Sequence, residues 1–328
     1  MRQAARLARA TLFCNVAVVL WGAYVRATGS GAGCGNKWPI CSGAVLGTSA
    51  RAQTIIEFTH RMTSGIALLM VACLVVWCWR VTSKRDWARY SAVLAAALLA
   101  NEALLGGALV LLDYVGKDKS VGRVLFLCLH FGNTLLLLAA LSLTAVWLSN
   151  GTSSFTLIRS RRQVIAVGVG IVATMVTGIT GAITALGDTL FPATSLRSAV
   201  LQDFSRGTPV LLRFRVVHPP LAAITACFLL WIIFKTSTQR SRVSQPALAL
   251  IIAVFAQLGI GMMNVLLLAP VLLQILHLFM ADLIWILLVL ASAELVLQRA
   301  DALAGRAMAE HGSPVKVRSR QEPIRSLP

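Results

Sequence analysis

Charge is what this chain has least of. Of its 328 residues 13% are charged and only 12 are acidic, whereas 57% are hydrophobic. Mean hydropathy is +0.78. A soluble domain of this length exposes far more charge, so that class is excluded and a polytopic membrane protein is expected. A small-residue cleavage site is also missing. The first apolar stretch ends on Trp21 and Tyr24, which suit an interfacial anchor, and so reads as a retained span rather than a signal peptide.

What the chain does have is long apolar runs. They cover 10–25, 54–79, 89–112, 123–148, 163–186, 211–234, 246–268 and 271–298. A helix needs about 20 residues to cross a bilayer, so these are eight spans, the first of them short. Little more than Ala269-Pro270 separates the last two. The net charge of +18 could suggest nucleic acid, but its distribution excludes that reading. With the N-terminus inside, nineteen lysines and arginines fall on the cytoplasmic side and nine on the other. This is the positive-inside pattern, and it places both termini in the cytoplasm of a cell (inner or plasma) membrane protein. The tail from Arg299 is polar and basic, with Gly312-Ser313-Pro314 and Gln321-Glu322-Pro323; a disordered segment held near anionic lipid is expected.

The two halves echo one another. Trp21-Gly22-Ala23 at the exit of the first span corresponds to Thr180-Gly181-Ala182 in the fifth, and Leu105-Gly106-Gly107 in the third to Gly259-Ile260-Gly261 in the seventh. His60 and His130 in the second and fourth spans correspond to His218 and His277 in the sixth and eighth. The expected fold is therefore an all-α integral membrane protein of eight transmembrane helices, built as two tandem four-helix bundles related by internal duplication. Its units are 1–150, 151–298 and a 299–328 tail. The glycines suit close helix contact.

Four of the five histidines lie inside apolar stretches, each about 7 residues, or about 10 Å, from the outer end of its span. Intramembrane ionisable groups point to function. A single histidine could simply bond one helix to the next. Four that obey the duplication point to two pairs of axial ligands, for which haem iron is the natural metal. Zinc and copper are disfavoured, because neither half supplies a third or fourth ligand at suitable spacing.

The neighbours of the histidines differ between halves. Glu57 lies three residues before His60 and shares its helix face, so it could approach a haem edge; alternatively it pairs with Arg61 at i, i+4. In the second half Arg215 takes the place of the acid and Pro219 that of Arg61. Arg61 and Arg215 are candidates for propionate contacts. Cys34 and Cys41 in the first outer loop face an oxidising compartment, and six intervening residues can close a disulfide, either as a staple or as a redox-active pair. The matching loop, 187–210, has no cysteine. Cys14, Cys73, Cys78 and Cys227 read as small apolar residues, and Asn101, Glu102, Asn264 and Asp282 as buried polar groups without an assigned role.

These residues resemble the haem A synthase family. The matching pieces are Thr28-Gly29-Ser30-Gly31 leading to Cys34, then Trp38-Pro39 to Cys41, Glu57-x-x-His60-Arg61, His130, His218 and His277. The cysteine pair is similar to that of a bacterial subtype. The resemblance, which runs to about residue 298, implies oxidation of a methyl group of haem O to the formyl group of haem A, for assembly of haem-copper terminal oxidases. It also implies that His60 and His130 hold the substrate haem O, that Glu57 is the essential carboxylate, and that His218 and His277 ligate a haem b cofactor. Haem O synthase would act upstream; the electron donor and the choice between monomer and homo-oligomer stay open. Two alternatives remain: a transmembrane b-type cytochrome for electron transfer, and a haem transport or insertion factor.

Overall fold

The computed structural model describes residues 1–41, 51–150, 155–157, 161–237 and 245–299. Within them eight helices are long and apolar enough to cross a membrane. They are α1 (Arg2–Ala27), α2 (Ala52–Val81), α3 (Trp87–Leu111), α4 (Val121–Asn150), α5 (Arg161–Leu190), α7 (Val210–Ser237), α8 (Gln245–Leu266) and α9 (Val271–Val296). Apolar side chains cover these helices, and lipid offers the backbone no partner, so each segment satisfies its own N–H and C=O groups. The protein is an all-α, multi-pass membrane protein.

Three local features depart from the expected spans. α1 starts eight residues before the first apolar run, because Ala4, Ala5 and Ala8 are buried in the same core as Val71, Leu74 and Cys78 of α2. The 187–210 segment, expected as an outer loop, contains a further helix, α6 (Leu196–Phe204). Ser195 starts α6 with a capping box, its hydroxyl accepting from Ser198 N–H while Ser198 reciprocates. Residues 155–157 and 297–299 form a two-stranded antiparallel pair, with Phe155 opposite Arg299. The basic tail expected beyond it, 300–328, lies outside the described residues.

The helices of each half share one cyclic order. α1 and α3 each lie against both α2 and α4, which places α2 and α4 diagonally across the bundle. In the second half α5 and α8 each lie against both α7 and α9, leaving α7 and α9 diagonal. The halves meet where α1 and α4 pack on α5 and α9. Val16, Leu135, Leu138, Trp285 and Val289 form the core of that seam. Trp285 is 2% exposed, and its indole N–H donates to the Leu135 carbonyl at 2.6 Å, which satisfies the only polar atom of the side chain. At one end of the first half, buried Ala4, Ala8, Ala88, Ala92 and Ala95 let the helices approach closely. Large apolar residues such as Leu69, Phe234 and Ile252 are exposed on the outside of the spans, where lipid would cover them.

Candidate functional site

The four intramembrane histidines fall at corresponding places. His60 is the ninth residue of α2, His130 the tenth of α4, His218 the ninth of α7 and His277 the seventh of α9. Each pair thus sits on the two diagonal helices of its half, which is the placement two axial ligands need. Every one of the four rings packs against a glycine of the preceding membrane-spanning helix. A Cβ added at Gly22 of α1 would lie 2.9 Å from His60 Cε1, and one at Gly181 of α5 would lie 2.9 Å from His218 Cε1. At Gly106 of α3 and Gly261 of α8 the same atom would be 3.6 Å from His130 Cε1 and 3.1 Å from His277 Cε1. The glycines, expected as packing residues, are the walls against which the imidazoles stand. The motif spacing contained them, but not their pairing with the rings.

The first site lies beneath the cysteine loop. Cys34 and Cys41 form a disulfide. Arg61 donates to three carbonyls of the enclosed loop: Lys37 at 2.7 Å, and Pro39 and Ile40 at 3.3 Å each. Its other terminal nitrogen meets Glu57 Oε1 at 2.5 Å, and Glu57 Oε2 accepts the Cys34 N–H at 2.7 Å. Of the two alternatives for Glu57, the i, i+4 ion pair is therefore present, with the carboxylate turned toward the loop. Trp38 lies on Gly107 of α3, whose added Cβ would fall 2.9 Å from Trp38 Cδ2. The loop thus bridges α2 and α3, touching residues adjacent in sequence to His60 and to the Gly106 wall of His130.

The second site is closed differently. His218 Nδ1 is 3.2 Å from the Thr180 hydroxyl of α5. Arg215 does not point freely: its Nε donates to Asp188 at 2.6 Å and its Nη2 to the Phe191 carbonyl at 2.7 Å. Its Nη1 lies 3.4 Å from Asp203 and 3.4 Å from Gln202 of α6. Burial raises the Asp203 carboxyl above the usual range, an effect that Arg215 opposes. Both arginines expected near propionates thus hold protein groups, one clamping the cysteine loop and the other fixing α6. Arg26 of α1 crosses between the halves. It donates to the Ala185 carbonyl at 2.6 Å, to Thr189 at 3.1 Å and to Gln274 at 3.2 Å.

The remaining buried polar groups divide. Glu102 sits beside His130, with Oε1 3.4 Å from Nδ1, and Asn101 donates to Asn133 at 2.8 Å. Asn264 donates to the Leu273 carbonyl. Asp282 is wholly buried and neither of its oxygens is hydrogen-bonded. Among the described residues no three of His, Cys, Asp and Glu gather as a metal-ion site. The donor set at both sites is a pair of imidazoles, which suits haem iron. Nδ1 is buried without a hydrogen-bond partner on His60 and His277 and lies beside Glu102 on His130, and glycine walls that any side chain would fill stand against all four rings, which fits that group.

A family model described as cytochrome oxidase assembly protein (COX15-CtaA) matches residues 5–289. The chain belongs to this family. It is also 42% identical over 283 residues to a protein of Thermus thermophilus named "Protoheme IX farnesyltransferase", an alignment covering 85% of this chain and 46% of that one. Proteins named "Heme A synthase" are 37% identical over shorter stretches. That of Alkalihalophilus pseudofirmus aligns over 129 residues, 39% of this chain and 41% of its own, and that of Geobacillus kaustophilus over 136 residues, 42% and 40%. The chain spans less than half the length of each of these relatives. Membership covers both halves of the chain, so the histidines of both sites lie within the matched region.

Proposed function

We propose that this member of the cytochrome oxidase assembly protein family is a haem A synthase, which oxidises a methyl group of haem O to the formyl group of haem A. The observation that carries the reading is the set of four histidines, paired across the diagonals of two matching helix bundles and each backed by glycine. His60 and His130 would hold the substrate haem O, and His218 and His277 a haem b cofactor. A bound haem b supplies one-electron chemistry at its iron. The residues of the chain supply position and enclosure: the glycine walls set the imidazole planes, and the clamped cysteine loop closes the α2–α3 side of the first site. We assign Glu57 to the oxidation. Its two oxygens, held by Arg61 and by Cys34 N–H, tie the loop to the same helix turn that carries His60.

The shared helix order and the four histidine–glycine contacts also support a tandem duplication with units at 1–150 and 151–298. The charge asymmetry supports cytoplasmic termini in the cell membrane. Haem O synthase is the partner that would deliver substrate, and a relative bearing a farnesyltransferase name suits such a pairing. Prenyl transfer by this chain itself is a weaker reading: more than half of that relative lies outside the alignment, and the described residues gather no carboxylates for a diphosphate-bound cation.

Expression with a source of haem O, followed by extraction of the haems and mass analysis, tests the activity. The formyl product is expected from the native chain. Glu57→Gln should retain bound haem and form no haem A; normal haem A in that variant would remove Glu57 from the oxidation.

A further inference from the structure

α3 and α8 present matching positions to the second histidine of each site, with different chemistry at one of them. Gly106 and Gly261 stand against the rings of His130 and His277. One helical turn earlier, four residues before each glycine, lie Glu102 and Gln257. Glu102 Oε1 is 3.4 Å from His130 Nδ1, within ion-pair range although not aligned as a hydrogen bond. Gln257 Nε2 is 3.4 Å from His277 Nε2. His130 therefore faces a carboxylate at Nδ1, whereas His277 meets a neutral amide at Nε2 and has no hydrogen-bond partner at Nδ1.

The carboxylate is built in place. Asn133 of α4 donates to Glu102 Oε2 at 2.5 Å, and the Thr134 hydroxyl donates to Oε1 in a short hydrogen bond. Asn133 is itself fixed, donating to the Leu98 carbonyl at 2.9 Å and accepting from Asn101 at 2.8 Å. The same Nδ2 of Asn133 thus serves both Leu98 and Glu102. These side chains make a polar network between α3 and α4 with an acceptor at its end beside His130. Gln257 has no such support: its Oε1 is buried without a hydrogen-bond partner.

We propose that Glu102 is a positioning residue that accepts the Nδ1–H of His130 and lowers the reduction potential of the iron held by His60 and His130 relative to the iron held by His218 and His277. The inference rests on the ligand assignment made above. A carboxylate behind a ligating imidazole orients the ring, leaves Nε2 for the metal and raises the basicity of the ligand. A more basic ligand, with a fixed negative charge behind it, favours the ferric over the ferrous iron, and hydrogen bonding around the axial ligand is one of the protein's levers on potential. Long contacts of this kind tighten when the ligand binds. An amide carries no charge, so the second site lacks this push. Glu57 cannot serve in its place, since Arg61 and Cys34 N–H occupy its oxygens.

The test is a redox titration of the purified, haem-loaded full chain, followed by visible absorption, with His218→Leu as background so that the first site is read alone. Mutating outer-sphere partners of metal ligands changes metal affinity or activity by about 10- to 100-fold, and the low end of that range sets the scale here. Glu102→Gln should therefore shift the reduction equilibrium about tenfold toward ferrous iron, or about 59 mV upward for one electron. The bis-imidazole spectrum should persist, and Glu102→Asp should restore part of the shift. Thr134→Val removes a donor to Glu102 Oε1 and leaves that oxygen a stronger acceptor for His130, so in the same background it should lower the first potential, and it carries the test alone if Glu102→Gln loses its haem. Unchanged potentials in Glu102→Gln and in Thr134→Val would overturn the proposal while leaving the ligands in place. A bis-imidazole spectrum that survives His130→Ala in the His218→Leu background would instead overturn the ligand assignment and this proposal with it.

Discussion

Replacing Gly22 by alanine tests the glycine-walled histidines at the smallest possible scale. The new methyl would lie 2.9 Å from His60 Cε1 and 3.2 Å from its Nε2. Carbon atoms rest about 3.5–4.0 Å apart, so the imidazole must retreat by about 0.6–1 Å or tilt. Overpacking of this kind destabilises by about 1–3 kcal/mol, and misplacing a positioned group by about 1 Å can reduce activity about 100-fold. Gly181→Ala should do the same to His218, whose Cε1 would also be 2.9 Å away. The controls lie nearby: a Cβ at Gly65 of α2 or Gly259 of α8 meets nothing within 4 Å. There the same change should raise helix stability by about 0.5–1 kcal/mol. Haem content, visible absorption and thermal unfolding of the four purified variants provide the assay. Gly22→Ala should disturb the first haem and Gly181→Ala the second, with Gly65→Ala and Gly259→Ala retaining both. If Gly22→Ala and Gly65→Ala matched in haem content and absorption, the ring of His60 would not be set by the α1 wall, and the reasoning would fail.

The two arginines give separate predictions. Arg61→Ala breaks an ion pair whose side chains are 9% and 4% exposed and releases three loop carbonyls, so it should destabilise by about 3–5 kcal/mol and speed proteolysis between Cys34 and Cys41. Arg61→Lys should not restore the loop, because a single ammonium cannot reproduce the forked guanidinium contacts; native-like protease resistance in either variant would contradict the clamp. Arg215→Ala should quicken amide hydrogen exchange across α6, since Asp188, Asp203, Gln202 and Phe191 lose a common partner. Exchange in α3 should stay unchanged, and an α6 as protected as in the native chain would refute the assigned role.

The spans were legible because bilayer thickness imposes a minimum apolar length, and the histidines because an imidazole in lipid demands a partner. α6 was not, since its Ser195-x-x-Ser198 box has serine where glutamate or glutamine usually marks a helix start. Nor was the early start of α1, whose arginine-rich first turns are apolar only on the face of Ala4, Ala5 and Ala8. At the site, sequence spacing put Glu57 and His60 on one helix face but could not decide between haem edge and Arg61; that depended on a loop folding back over α2. The Glu102–His130 and Gln257–His277 contacts were hidden for a related reason. Each joins different helices, and only packing of α3 on α4 and of α8 on α9 shows which residues face the rings. Asp188 and Asp203 escaped notice because their common partner, Arg215, lies 12 to 27 residues away along the chain.

Whether the two histidine pairs hold two haems with unequal roles can be read from the haem composition of the purified chain, loaded with haem O and haem b, beside His60→Leu and His218→Leu. His60→Leu should lose haem O and its oxidised products while keeping haem b, and His218→Leu should lose haem b while keeping haem O. Loss of the same haem from both variants, or retention of both haems by either, would contradict the unequal roles.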